Sequence, residues 1–250
     1  MTDDLIKRRF ADLANQADKR TIYTFTDFLT EAEISDFYAV LPSLPNVGYA
    51  VWGGFDGAER KMLRFGSPDF LGYEQDFPIV CLAVSPLQAK FADTLTHRDF
   101  LGALMHLGIE RQEIGDILVQ EKSAYVFCTE KMADYICREL QTVRHTSVKC
   151  TAAETVPDAV INHTEPVDIQ AASERADGII AKLYRISRSE CSVLFTAERV
   201  FVNGRAVNNS AAVLKSGDTV SVRGFGKFRY AGVQGTTRKG NLVLHIEKFA

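Results

Sequence analysis

The amino-acid sequence predicts an α+β protein of three small domains, and three observations carry that prediction. Its 250 residues exceed ordinary single-domain size. From Phe77 onward the apolar pattern runs strand, helix, strand, strand, helix, strand. Positive charge gathers at the far end: residues 168–250 hold 13 Lys and Arg against 7 Asp and Glu, whereas 1–167 hold 16 against 25. The formal net charge of −3 therefore hides a basic terminal module, and such modules commonly meet phosphate.

The first domain spans residues 1–75. DDLIKRRFADLANQADKR keeps apolar residues near helical spacing, and TEAEISDFYAVL opens a second helix at Thr30 with a T-x-x-E capping pattern. Pro42 and Pro45 close it. NVGYAVWGGFDGAERKMLRFG then reads as two strands around a Gly-rich turn, with Arg60, Lys61 and Arg64 crowding one side.

The middle domain spans 76–151. PIVCLAV, THRDFLGALMHLG, GDILVQ, KSAYVFCT, EKMADYICREL and HTSVKC give a split β-α-β-β-α-β order, which is that of RNA-recognition-motif domains and of many unrelated modules. Tyr125 and Phe127 share a strand face as base-stacking aromatics do, but alternate apolar residues on a strand are more often core, and PIVCLAV offers no aromatic partner. Residues 152–168, poor in periodicity and holding Pro157 and Pro166, read as a linker.

The last domain, 169–250, holds the chemistry. A helix over about 173–185 buries Ile179, Ile180 and Leu183 and can present Arg175, Lys182 and Arg185 on another face. Ser187-Arg188-Ser189-Glu190 fits a capping box that opens the next helix, and its first-turn amides, with Arg188, make an anion site from few parts. RVFVNGRAV is a hairpin whose Asn203-Gly204 turn accepts φ > 0. Arg199 and Phe201 project from one side of its first strand. Ser216-Gly217-Asp218 turns into TVSVRGF, and Lys227 and Arg229 continue the positive edge.

SRSECSVLFTAERVFVNGRAV followed by LKSGDTVSVRG resembles the RNA-binding domain named after ribosomal small-subunit protein S-four, over about fifty residues. One departure stands out: that family usually has Gly where Glu198 stands. GGFDGAERK at 53–61, HRDFLGALMHLGIERQEIGDIL at 97–118 and the terminal SVRGFGKF resemble the YlmH family of bacterial RNA-binding proteins. That resemblance implies association with the ribosome, quality control on the large subunit where peptidyl-tRNA is left after stalling, and genes lying among those for cell division.

Enzyme readings find less support. His97-Arg98-Asp99 is like a protein-kinase catalytic loop, but Leu104 stands where its Asn belongs; helix capping by His97 or Asp99 is the simpler account. S-four-type domains also ride on pseudouridine synthases, tyrosyl-tRNA synthetases and methyltransferases. Neither an Arg-Leu-Asp stretch nor the synthetase signatures occur, and VWGGFDG lacks the helix pattern a cofactor loop needs. The alternatives kept are an RNA-modifying enzyme of pseudouridine synthase or methyltransferase type, and a protein-interaction adaptor anchored by its basic module. The expectation is a non-catalytic binder of ribosomal RNA or tRNA on the large subunit. Its RNA contacts are Lys182, Arg185, Ser187, Arg188, Ser189, Arg199, Asn203, Lys215, Arg223, Lys227 and Arg229. Arg60, Lys61, His97, Arg98 and Arg111 are secondary contacts.

Five cysteines without CxxC spacing indicate neither a disulfide framework nor a zinc site. No cofactor, metal or small-molecule substrate is expected. The sequence shows no signal peptide or membrane span, so the cytoplasm is the expected location.

Overall fold

Thr30 shows how local chemistry sets the element boundaries. Its extended backbone lets its hydroxyl accept from the Glu33 amide, while the Glu33 carboxylate accepts from the Thr30 N–H at 2.7 Å, so two orphan donors are satisfied where the helix starts. The computed structural model describes residues 2–161 and 164–249. It opens with α1 (Thr2–Arg20), β1 (Thr24–Phe25), α2 (Glu31–Val40), β2 (Tyr49–Trp52), β3 (Met62–Phe65) and α3 (Pro68–Leu71). The strands form an antiparallel sheet in the order β1-β3-β2. Phe10, Leu13, Ala14 and Ala17, one stripe of α1, are buried against Ile34, Phe37, Leu63 and Phe65.

Next come β4 (Ile79–Pro86), α4 (His97–His106), β5 (Ile114–Gln120), β6 (Ser123–Thr129), α5 (Glu130–Glu139), β7 (Thr142–Val143), β8 (Thr146–Ala152) and α6 (Asp158–Ile161). The antiparallel sheet order is β5-β6-β4-β8-β7, the interleaving that a split β-α-β-β-α-β chain produces. Leu82 and Val84 of β4 with Ala124, Val126 and Cys128 of β6 share a core with Phe100 and Leu104 of α4 and Ile136 of α5. Period-two alternation sends Phe127 to the other face. There it is 2% exposed and buried with Phe28, Phe55, Ala58 and Met62, its ring 4.9 Å from that of Phe55. Phe127 is thus core, and residues before 75 cover the sheet face on which a recognition motif would stack bases.

That shared cluster also bears on domain division. The chain separates into two compact units, Met1–Ile161 and Asn162–Ala250. The 75/76 boundary expected from the change in element order lies between two sheets of the first unit that share buried residues, Phe127 packing with Phe28, Phe55 and Met62.

The second unit contains β9 (Thr164–Ala171), α7 (Ala176–Leu183), α8 (Arg188–Thr196), β10 (Val200–Val202), β11 (Arg205–Ala206), β12 (Thr219–Val222), β13 (Gly226–Thr236) and β14 (Leu242–Phe249). Its antiparallel sheet runs β11-β10-β12-β13-β14-β9. Ile179, Ile180, Cys191, Leu194 and Phe195 of the two helices are buried with Val220, Phe228, Tyr230, Leu244 and Ile246. The expected linker 152–168 is largely structured: Asp158–Ile161 is helical and 164–168 begin β9, while 162 and 163 lie outside the described residues. Pro166 misled the prediction because β9 is an edge strand, where a missing N–H breaks no ladder on the open side. The long β13–β14 hairpin escaped the sequence pattern for a related reason: Gly232 and Gly235 flank register shifts that interrupt its alternation.

All five cysteines are free thiols; Cys128, Cys150 and Cys191 are buried. Among the described residues no helix is long and apolar enough to cross a membrane.

Candidate nucleic-acid interface

Two helix ends fix the arginines of the second unit. α7 stops at Leu183, where the Ile186 N–H donates to the Ala181 carbonyl at 3.0 Å and the Arg185 N–H to that of Lys182 at 3.4 Å. This is a Schellman turn, and Arg185 holds its left-handed position at φ 55°. Arg175, Lys182 and Arg185 therefore do not share a helical face. Arg175 precedes the helix and forks the Asp177 carboxylate at 3.1 and 2.8 Å; Lys182 donates to the Gln170 carbonyl; Arg185 stands exposed beyond the last turn.

α8 ends the same way. Arg199 N–H donates to the Leu194 carbonyl at 2.9 Å and Glu198 N–H to that of Phe195 at 3.1 Å, with Glu198 at φ 52°. The turn is thus built as a Gly-containing one would be, and Glu198 bears a left-handed penalty of about 1 kcal/mol. Glu198→Gly should raise stability by about 0.5–1 kcal/mol despite losing the 3.4 Å bond from Asn208 Nδ2. Chemical denaturation monitored by circular dichroism checks this, and an unmoved or lower midpoint refutes it.

The start of α8 is more self-contained than expected. Ser187 Oγ accepts from the Glu190 amide at 3.2 Å, Ser187 N–H donates to Glu190 Oε2 at 2.8 Å, and Ser189 Oγ lies 3.0 Å from Ser187 Oγ. The bonds from the Ser187 backbone and hydroxyl hold the Glu190 carboxyl below its ordinary range. A carboxylate of the protein itself thus occupies part of the positive helix end, so phosphate attraction here falls mainly to the exposed Arg188 side chain.

Arg199 and Arg223 come together across β10 and β12. Arg199 Nη2 donates to the Arg223 carbonyl at 2.7 Å, and the Arg223 guanidinium lies over the Phe201 ring at 5.1 Å. Arg199 directly precedes the strand and is exposed, whereas Phe201 within it is buried under the Arg223 guanidinium. Gly224 takes φ 87°, a left-handed conformation that favours glycine, and the end of the Arg199 side chain lies over it. Phe225, 38% exposed and overlooked in the sequence, has its ring 5.4 Å from that of Tyr184, which brings the turn after β12 to the end of α7. Its flanking glycines in RGFGKF were the available signal. Arg185, Arg188, Arg199 and Arg223 are each exposed; Arg188 opens α8 with its guanidinium beside Gly178 of α7, whereas Arg199 follows the far end of α8.

The remaining candidates lie elsewhere. Asn203, at φ 51°, donates from Nδ2 to Asp218 Oδ1 at 2.8 Å and accepts from the Thr219 N–H at 2.9 Å; its amide joins two turns at the opposite strand ends and is occupied structurally. Exposed Lys215 stands beside it, its N–H donating to Asp218 Oδ2. Lys227 and Arg229 do not extend a free positive edge. Lys227 is 6% exposed with its ammonium 5.3 Å from the Phe249 ring centre, and Arg229 pairs with Glu247 at 3.3 Å.

In the first unit, Arg60 donates to the carbonyls of Ile114, Phe28 and Arg111, and Arg111 to those of Ile114 and Gly115. Burial, then the neighbouring Arg60 guanidinium, pushes Arg111 down to about 10, still charged at neutral pH. Both arginines thus serve as loop staples. Lys61 is half-buried beside β3, bridged to Leu29. His97 and Arg98 are exposed in the first turn of α4, while Asp99 caps it by accepting from the Thr96 N–H at 2.8 Å.

Two family models match this chain: "YlmH, N-terminal" over residues 5–70 and "Putative RNA-binding domain in YlmH" over residues 73–156. A protein of Bacillus subtilis (strain 168), "Ribosome-associated protein quality control protein P2", is 30% identical over 230 residues, covering 89% of this chain and 86% of that protein. The chain belongs to the YlmH family. A solved structure, "Cell division protein ylmH from Streptococcus pneumoniae", aligns with a TM-score of 0.49 at 17% identity, covering 61% of this chain and 92% of that one. The YlmH models assign the RNA-binding description to the split β-α-β-β-α-β segment, whereas the positive charge concentrates after residue 168.

Proposed function

We propose that this YlmH-family protein binds structured ribosomal RNA or tRNA on the large ribosomal subunit and acts in quality control of stalled peptidyl-tRNA. It does so by recognition without catalysis, in the cytoplasm where ribosomes work. Its second unit is an S-four-type domain following an N-terminal α/β part and a recognition-motif-like part. The observation that carries this reading is the concentration of positive charge after residue 168, 13 Lys and Arg against 7 Asp and Glu, with Arg185, Arg188, Arg199 and Arg223 all exposed on the second unit. Such a surface reads the spacing of phosphates on a folded RNA, with shape supplying the selectivity. The match of 73–156 to an RNA-binding model and the name of the Bacillus relative support the same direction.

If about four to six phosphates are neutralised, the logarithm of affinity should fall against the logarithm of salt concentration with a slope of about −3 to −5. Binding of the full chain to large subunits at several salt concentrations measures it. A slope near zero overturns the phosphate mechanism. The adaptor alternative needs a cut that leaves both units whole: separation at 161/162 respects the cores, whereas removal of 1–75 would strip Phe127 of Phe28, Phe55 and Met62.

A further inference from the structure

A cavity of about 640 Å³ in the first unit lies beside β2, β3 and the ends of β4 and β6. Arg64 lines it, a cation only 9% exposed whose guanidinium sits 4.8 Å from the Tyr23 ring centre and 5.3 Å from that of Phe77. Both rings lie against the guanidinium, but its donors are another matter. Nη1 donates to the Gln75 carbonyl, and Nε is buried without a hydrogen-bond partner. A buried guanidinium with an unspent donor is costly; Nε itself is shielded, so a ligand acceptor in the cavity would meet the part of the Arg64 side chain that stays exposed. The same cavity is lined by Trp52 and by the exposed carboxylates of Glu74, Asp76 and Glu154.

This set selects among ligands. Three carboxylates repel a phosphate, and Arg64 repels a lysine or arginine side chain. What satisfies both is a flat aromatic group with acceptors on one edge and donors on another, able to stack on Trp52 or Phe77. Guanine has that division: O6 and N7 accept, as they do from arginine in nucleic-acid complexes, and its exocyclic amine donates. Bases of single-stranded RNA are read by this combination of stacking and edge hydrogen bonds. We propose that the cavity is a pocket for an unstacked guanine base of RNA, with Arg64 reading the acceptor edge and Glu74 or Asp76 the donor edge. The proposal rests on the chain being an RNA-binding protein, and adds a base-selective contact to the phosphate contacts of the second unit.

Trp52 is the single tryptophan of the chain, so tryptophan fluorescence of the full protein reports on this cavity alone. The RNA pentamer UUGUU should quench it at a concentration about tenfold lower than UUAUU, the discrimination expected for one good base-edge pair. Glu74→Gln with Asp76→Asn, both on the exposed rim, should erase that difference even if Arg64→Ala fails to fold. Equal quenching by the two pentamers, or none by either, overturns the proposal. So does quenching by an arginine-containing peptide and by neither RNA, which would assign the cavity to a protein tail. Arg188→Glu should leave the quenching unchanged. Weakened ribosome binding by Arg188→Glu with retained guanine preference therefore supports both readings, unchanged ribosome binding by it faults the second-unit surface alone, and ribosome binding by the parent protein without quenching faults the pocket alone.

Discussion

Arg188→Glu is expected to weaken binding to the large ribosomal subunit by about ten- to a hundredfold without unfolding the second unit. The change removes one phosphate contact, which alone lowers the salt slope by about 1, and adds a repulsive charge at the same place. The fold should tolerate it because the elements that start α8 are the Ser187 hydroxyl and the Glu190 carboxylate, and the Arg188 side chain is exposed. An acidic residue in the first helical turn also suits the helix dipole. The variant should thus keep its denaturation midpoint while its affinity at near-physiological salt drops. Normal ribosome binding by a folded Arg188→Glu protein would remove the helix start from the interface.

Phe127→Ala should destabilise the first unit by about 3–5 kcal/mol, the usual cost of emptying a buried phenylalanine site. The ring is buried with residues from both sides of the expected 75/76 boundary. A Cβ at Gly54 would come within 2.4 Å of Phe127 Cδ1, and one at Gly115 within 3.1 Å of its Cβ, so the surroundings are close-fitting and cannot collapse far. Cooperative loss of both sheets in a single unfolding transition is the expected signature of their common core. Two separate transitions, or a variant as stable as the parent with weakened RNA binding, would return Phe127 to the role of a base-stacking platform.

Much of the architecture was legible in the chain. T-x-x-E at Thr30 and S-x-x-E at Ser187 named two helix starts, since both caps are made by residues three apart and need no tertiary partner. Asn203-Gly204 named its hairpin, both residues taking positive φ. β9 was hidden because an edge strand tolerates proline, and the α7 terminus because nothing about Arg185 announces a left-handed residue. The candidate site was legible as a list of cations and illegible as a surface. Lys227 looks like Arg223 in sequence, yet register places it at buried Ser221 while Arg223 falls just beyond the end of β12.

The sequence by itself determined the order of elements, their caps and turns, and the concentration of positive charge after residue 168, because these depend on interactions within a few positions or on composition alone. Only the tertiary structure decided that Phe127 is core, that Arg60, Arg111 and Asn203 spend their hydrogen bonds on the fold, and that Arg64 lies buried beside a cavity with its Nε unpaired. Those outcomes depend on which distant backbone carbonyls and rings arrive next to a side chain, and that is fixed by sheet register and layer packing, which no local pattern encodes.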